Sequence, residues 1–139
     1  MKHIDGQCHC GYISYQATVN PDWVFICHCT DCQRRTGGAF ATGVIAAHDK
    51  FQIMSGEPTI YYRYTERGEK RKVAFCPRCG TPIYASDLSD KPVYSIRTGT
   101  ARQREELIPK VQIWCRSQLS WVQGISQLPQ IAQQPPLPG

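Results

Sequence analysis

From Tyr12 to Val19 the chain reads Tyr-Ile-Ser-Tyr-Gln-Ala-Thr-Val, with apolar and polar positions taking turns. A period of two is that of a strand with one buried face, and aromatic and β-branched residues suit a pleated surface. Similar short runs recur at Trp23–Cys27, Phe51–Met54, Thr59–Tyr64, Lys70–Phe75, Pro82–Ala85, Val93–Ile96 and Val111–Trp114. His3–Gln7 reads as an edge strand, and the small apolar residues of Ala39–Ala47 read as a buried one. Turn chemistry separates them: Asn20-Pro21-Asp22, Ser55-Gly56-Glu57-Pro58 and a hairpin loop over Glu66–Glu69. No long segment has a period of 3.6. Thr30–Arg35 predicts one helical turn, capped by Thr30 or Asp31 and ended by Gly37-Gly38, and Arg102–Leu107 predicts another. The pattern therefore predicts an all-β domain of antiparallel sheets with short helical turns. After Trp121 the chain becomes polar and proline-rich, so the expected division is one domain over 1–127 and a proline-rich tail over 128–139.

Composition narrows this picture. A chain of 139 residues fits one domain and is long enough to bury a core of its own. The formal net charge of +5 and the 19% of charged residues provide no dense basic block, so no nucleic-acid partner is expected. No apolar run approaches membrane-spanning length, so no membrane partner is expected either. Met1–Asp5 shows no apolar signal-peptide core, and the expected compartment is the cytoplasm, where thiols stay reduced.

The chemistry lies in the cysteines. Seven of eight fall in three clusters, Cys8-His9-Cys10, Cys27-His28-Cys29-Thr30-Asp31-Cys32 and Cys76-Pro77-Arg78-Cys79, and Cys115 stands alone. Short-spaced thiols suit a tetrahedral soft-ligand metal site. The two-residue spacer of Cys76 and Cys79 lets both sulfurs reach one ion, with Pro77 setting a turn and Gly80 free to take a positive φ. A disulfide framework is the competing reading, but Cys-x-Cys pairs on one face suit a shared ion better than two crossing bridges. A redox Cys-x-x-Cys would sit at a helix start in a βαβ pattern, which is missing. In an extended segment His9 and His28 point away from their flanking sulfurs, so they read as hydrogen-bonded neighbours rather than ligands.

Spacing alone does not fix how the clusters pair. The simplest partition joins Cys8, Cys10, Cys76 and Cys79 in a closed structural site, leaving Cys27, Cys29 and Cys32 as an open one. A site with three protein ligands can do chemistry. Arg34 and Arg35, which follow it, could bind an anionic ligand or stand in solvent. Cys115 could close the open site, or be a buried inert thiol beside Trp114, and the second is favoured.

At these residues the chain resembles the glutathione-dependent formaldehyde-activating enzyme family, whose wider membership includes centromere protein V. The resemblance rests on Gly6-Gln7-Cys8-His9-Cys10-Gly11, on Cys27–Arg34 with Gly37-Gly38-Ala39-Phe40, on Phe75–Pro82, and more weakly on Ile113-Trp114-Cys115-Arg116-Ser117 and Trp121. It implies a β-tent fold and two zinc ions. Cys8, Cys10, Cys76 and Cys79 would be structural, and Cys27, Cys29 and Cys32 catalytic. It also implies a carbon-sulfur lyase activity that joins glutathione and formaldehyde. The chain departs from the family pattern at Thr100-Ala101-Arg102-Gln103, where an acidic segment is common, and at Gln112, where a histidine is common. The expectation is a zinc-dependent enzyme that takes a small-molecule thiol such as glutathione, with Arg34 and Arg35 contacting it. The alternatives are a two-zinc binding module without turnover and an enzyme of the same type with another substrate.

Overall fold

The computed structural model describes residues 1–138; Gly139, the last residue of the tail, lies outside them. Among the described residues there are ten strands: β1 (Lys2–Gln7), β2 (Ser14–Val19), β3 (Val24–Cys27), β4 (Ala41–Ala46), β5 (Phe51–Ser55), β6 (Thr59–Tyr64), β7 (Lys70–Phe75), β8 (Pro82–Ser86), β9 (Tyr94–Arg97) and β10 (Val111–Ile113). One α-helix, α1 (Thr30–Thr36), and short 3-10 turns complete the described residues. The all-β expectation holds. A three-stranded sheet in the order β1-β2-β5 faces a seven-stranded sheet in the order β10-β3-β4-β9-β8-β7-β6, and neither closes on itself.

The period-two pattern explains the core. In β2 Tyr15, Ala17 and Val19 are buried and the residues between them are not. Ile4, Val24, Val44, Ile83 and Ile96 join them from both sheets, each fully buried. Phe51 from the small sheet packs against both Tyr84 and Tyr94 of the large one, with ring centroids at 5.1 and 4.7 Å. Burying side chains of this size contributes roughly 1.5–3 kcal/mol each.

At Gly6 the backbone approaches its neighbours closely. A Cβ there would lie 2.3 Å from the Thr100 carbonyl oxygen and 2.5 Å from the Tyr15 hydroxyl, which itself bonds Thr100 Oγ1 at 2.8 Å. Backbone and a buried ring cannot both give way. Gly6→Ala is therefore expected to cost about 1–3 kcal/mol, read as a lowered midpoint in thermal unfolding with the fold retained.

Three local expectations are corrected. The large sheet is not wholly antiparallel, because β10 pairs parallel to β3 with Val111 opposite Phe25 and Ile113 opposite Cys27. Parallel neighbours need a long connection rather than a hairpin, and Thr98–Lys110 supplies it with two 3-10 turns. The Cys8–Cys10 pair is not extended. β1 ends at Gln7, and Cys8 starts a tight turn in which its N–H bonds the Ile13 carbonyl and its carbonyl accepts from Gly11 N–H. Cys115 is not buried. β10 stops at Ile113, Trp114 turns the chain in the left-handed conformation (φ 57°), and Cys115 opens an exposed 3-10 turn. Beyond Val122 every described residue is exposed. No helix among the described residues is long and apolar enough to cross a membrane.

Candidate metal centres and their cleft

The first thiol group forms where two turns meet. Cys8 and Cys10 come from the β1–β2 turn, and Cys76 and Cys79 from the β7–β8 turn. Their four sulfurs lie within 4.8 Å of one another. Cys10 Sγ stands 3.6 Å from Cys8 Sγ and 3.8 Å from Cys76 Sγ. A tetrahedron with metal–sulfur bonds of 2.3 Å has edges of about 3.8 Å, so this donor set fits zinc.

The turns also orient the sulfurs. Ile13 N–H donates to Cys8 Sγ (3.2 Å), and Arg78 N–H donates to Cys76 Sγ (3.3 Å). Such N–H···S contacts spread thiolate charge and hold ligands in place. Gly80 takes φ 80° just after the last ligand, as the sequence predicts, and its N–H closes the turn on the Cys76 carbonyl. The Thr81 hydroxyl ties the turns together: it contacts Cys79 Sγ at 3.2 Å and accepts from His9 N–H at 3.1 Å. That hydroxyl, followed by backbone hydrogen bonds at Thr81 and Cys10, brings the Cys79 thiol down to about 5. Cys8 and Cys76 are buried, whereas Cys10 and Cys79 are exposed.

The second group is built by strand, helix and edge strand together. Cys27 ends β3. Cys29 is the N-cap of α1 and its sulfur accepts from Cys32 N–H at 3.2 Å. The helix carries Cys32 inward and ends where Gly37 N–H bonds the Gln33 carbonyl. The three sulfurs also lie within 4.8 Å of one another. The Cys27 thiol is lowered, first by its hydrogen bond with Cys32. The Cys32 thiol is raised by the same bond, then by burial and by charge on Cys27. Burial likewise raises Cys29. Three crowded thiolates cannot coexist without a cation, and a divalent soft metal supplies one.

The frame around this group is tight. His28 is fully buried. Its Nε2 bonds Gln112 Oε1 at 2.8 Å and its ring packs edge-on against Phe40. Gln112 is thus the partner of His28. Gln33 Nε2 donates to the carbonyls of His28 and Ser117, both at 2.9 Å, which joins α1 to the segment after β10. Trp114 packs against the small cluster of Cys27, Cys32 and Ala41. A tryptophan in the left-handed region costs roughly 1–2 kcal/mol, and strained residues of this kind gather at functional sites.

The sequence pattern of one family, the glutathione-dependent formaldehyde-activating enzyme, matches residues 3–117. The chain belongs to that family. No curated protein matches it. A crystal structure of a Rhodobacter sphaeroides protein shares the fold, with a TM-score of 0.61 and 21% identity over 78% of this chain and 98% of that one. The family's sequence pattern spans both thiol groups and ends just after β10.

Two clefts of similar size flank the thiol groups in this family member. One, of ≈ 570 Å³, passes Cys8 and is lined by Asp5, Tyr15, Thr100 and Arg102. The other, of ≈ 590 Å³, opens onto Cys27, Cys29 and Cys32. Trp23, Phe25 and Trp114 wall the second beside its three thiols, and functional pockets combine apolar walls with a few convergent polar groups.

The arginines divide differently from the sequence expectation. Neither Arg34 nor Arg35 lines this cleft; Arg63, Arg67, Arg71 and Arg97 do. Arg34 is exposed. Arg35 stacks 5.5 Å from the Tyr61 ring centroid, and burial, then the charges of Arg97 and Arg63, weigh against its own charge. Arg63 Nη1 donates to Asp31 Oδ2 at 2.9 Å, pinning β6 to the first turn of α1. Arg116 pairs with Glu66 at the hairpin tip. Among the described residues Cys115 lies outside both sulfur groups.

Proposed function

We propose that this protein joins a thiol of the glutathione type to formaldehyde or another small aldehyde, a carbon-sulfur lyase-class reaction, with zinc at both thiol groups. The three-thiol group supports this reading. Among the described residues no fourth Cys, His, Asp or Glu joins it, and it borders a walled cleft. His28 turns its Nε2 to Gln112 and Cys115 is exposed, and neither has a ligand atom within the three-sulfur group.

Zinc held by Cys27, Cys29 and Cys32 would lower the pKa of an incoming thiol and keep it deprotonated at neutral pH. The remaining work falls to the chain. Trp23, Phe25 and Trp114 form apolar walls of the cleft, against which the two reactants would be held in one orientation. In the reaction the sulfur–carbon bond forms, the carbonyl π bond opens, and the proton lost from sulfur ends on the new hydroxyl oxygen. Cys8, Cys10, Cys76 and Cys79 hold the structural metal, and we place the protein in the cytoplasm, where its thiols stay reduced.

Formaldehyde adds to glutathione without a catalyst, so the test must resolve a rate above that background. Exchange NMR on S-hydroxymethylglutathione at equilibrium, with zinc-loaded protein, is expected to show exchange accelerated in proportion to protein concentration. An uncatalysed rate with both metals bound would end the formaldehyde reading.

A further inference from the structure

Resting on the thiol-site reading above, we propose that the Arg97 guanidinium anchors the carboxylate of an acidic thiol whose sulfur is held at Cys27, Cys29 and Cys32. The cleft's arginines are not equivalent. Arg63 is committed to Asp31, and Arg71 stands 4.0 Å from Glu69. Arg67 lies exposed in the β6–β7 loop. Arg97 is half-buried, lines the same cleft as the three thiols, and forms no ion pair among the described residues.

Sheet register places it. Phe25, Gly43 and Arg97 lie side by side across β3, β4 and β9, one pleat from the Cys27–Ala41 pair. Residues two apart share a face, so Cys27, Phe25 and Arg97 all point into the cleft. Strand spacing of about 4.8 Å and a rise of about 3.4 Å per residue put the backbones of Cys27 and Arg97 roughly 12 Å apart. An arginine side chain and a short thiol acid span that gap between them. Gly43, between Phe25 and Arg97, leaves room for the Phe25 ring: a Cβ there would come within 2.6 Å of that ring and 2.8 Å of Ser95 Oγ. A planar guanidinium offers a carboxylate two parallel donors, which fixes orientation as well as charge. The substrate class that follows is a thiol bearing a carboxylate a few bonds from sulfur, and not a neutral thiol.

The competing role for Arg97 is as a counter-charge to the thiolates alone, and binding separates the two. In cobalt-substituted protein the visible spectrum reports sulfur arriving at the metal, so dissociation constants can be read without turnover. Glutathione, glutathione diethyl ester and 2-mercaptoethanol are the probes. Wild type is expected to bind glutathione at least tenfold more tightly than its diester. R97Q should lose that preference while changing 2-mercaptoethanol binding less than twofold, and R97K should restore part of it. Equal weakening of all three probes in R97Q, or no weakening of any, overturns the anchor and leaves the thiol site standing. If no probe perturbs the wild-type cobalt spectrum, the thiol-site reading falls and the anchor falls with it.

Discussion

Cys79→Ser is expected to yield insoluble or unfolded protein. Cys79 is exposed, and its sulfur meets the Thr81 hydroxyl, the backbone N–H groups of Thr81 and Cys10, and the neighbouring thiols. For an ordinary surface side chain, exchanging sulfur for oxygen changes stability by roughly 0.5 kcal/mol or less. As the fourth thiolate of a closed zinc site the same residue carries a share of a binding free energy on the order of 10 kcal/mol, which is available only to the folded chain. The whole stability of a domain is about 5–15 kcal/mol. The two roles therefore differ by more than experimental error. Soluble yield, far-ultraviolet circular dichroism and melting temperature with added zinc measure the outcome; an unchanged melting temperature would remove the structural metal from this site.

Cys32→Ser should have the opposite profile: a folded protein without catalysis. Its sulfur is buried at the inner end of the first helical turn, but α1 is held independently by the Arg63–Asp31 pair and by Gln33. The group that joins β1–β2 to β7–β8 does not involve it. Native mass spectrometry should count one zinc per chain in place of two, and thiol–formaldehyde exchange should fall to the uncatalysed rate. Loss of both metals together with the fold would show that the second group is structural as well.

The strands were legible because each is short, half-buried and bounded by turn residues, so a local pattern carries the whole signal. The thiol groups were legible for a related reason: a two-residue spacer restricts where two sulfurs can meet, and only seven clustered cysteines had to be shared out. The arginines were not legible in this way. Arg63 sits on β6 and Arg97 on β9, and they line the same cleft as Cys32 only through sheet order, which no local spacing encodes. Arg34 and Arg35 were prominent through adjacency in sequence, yet helical rotation leaves Arg34 exposed and directs Arg35 onto Tyr61. Cys29 gives no cap signal in the sequence because a hydroxyl or carboxylate is the usual acceptor, as the adjoining Thr30 and Asp31 offer. Cys115 was expected inside because free cysteines usually are, and the turn at Trp114 put it outside.

The first thiol group also governs when the chain can become a single folded body. Cys10 and Cys76 are 66 residues apart. Closing a loop of that length costs roughly 4 kcal/mol in chain entropy. During synthesis at roughly 5–20 residues per second, Cys8 and Cys10 leave the ribosome several seconds before their partners. For that interval the small sheet has no ligands with which to complete its ion. With zinc as the ion, its capture is a late event that ties the start of the chain to its middle, so the supply of metal at that moment would set the yield of folded protein.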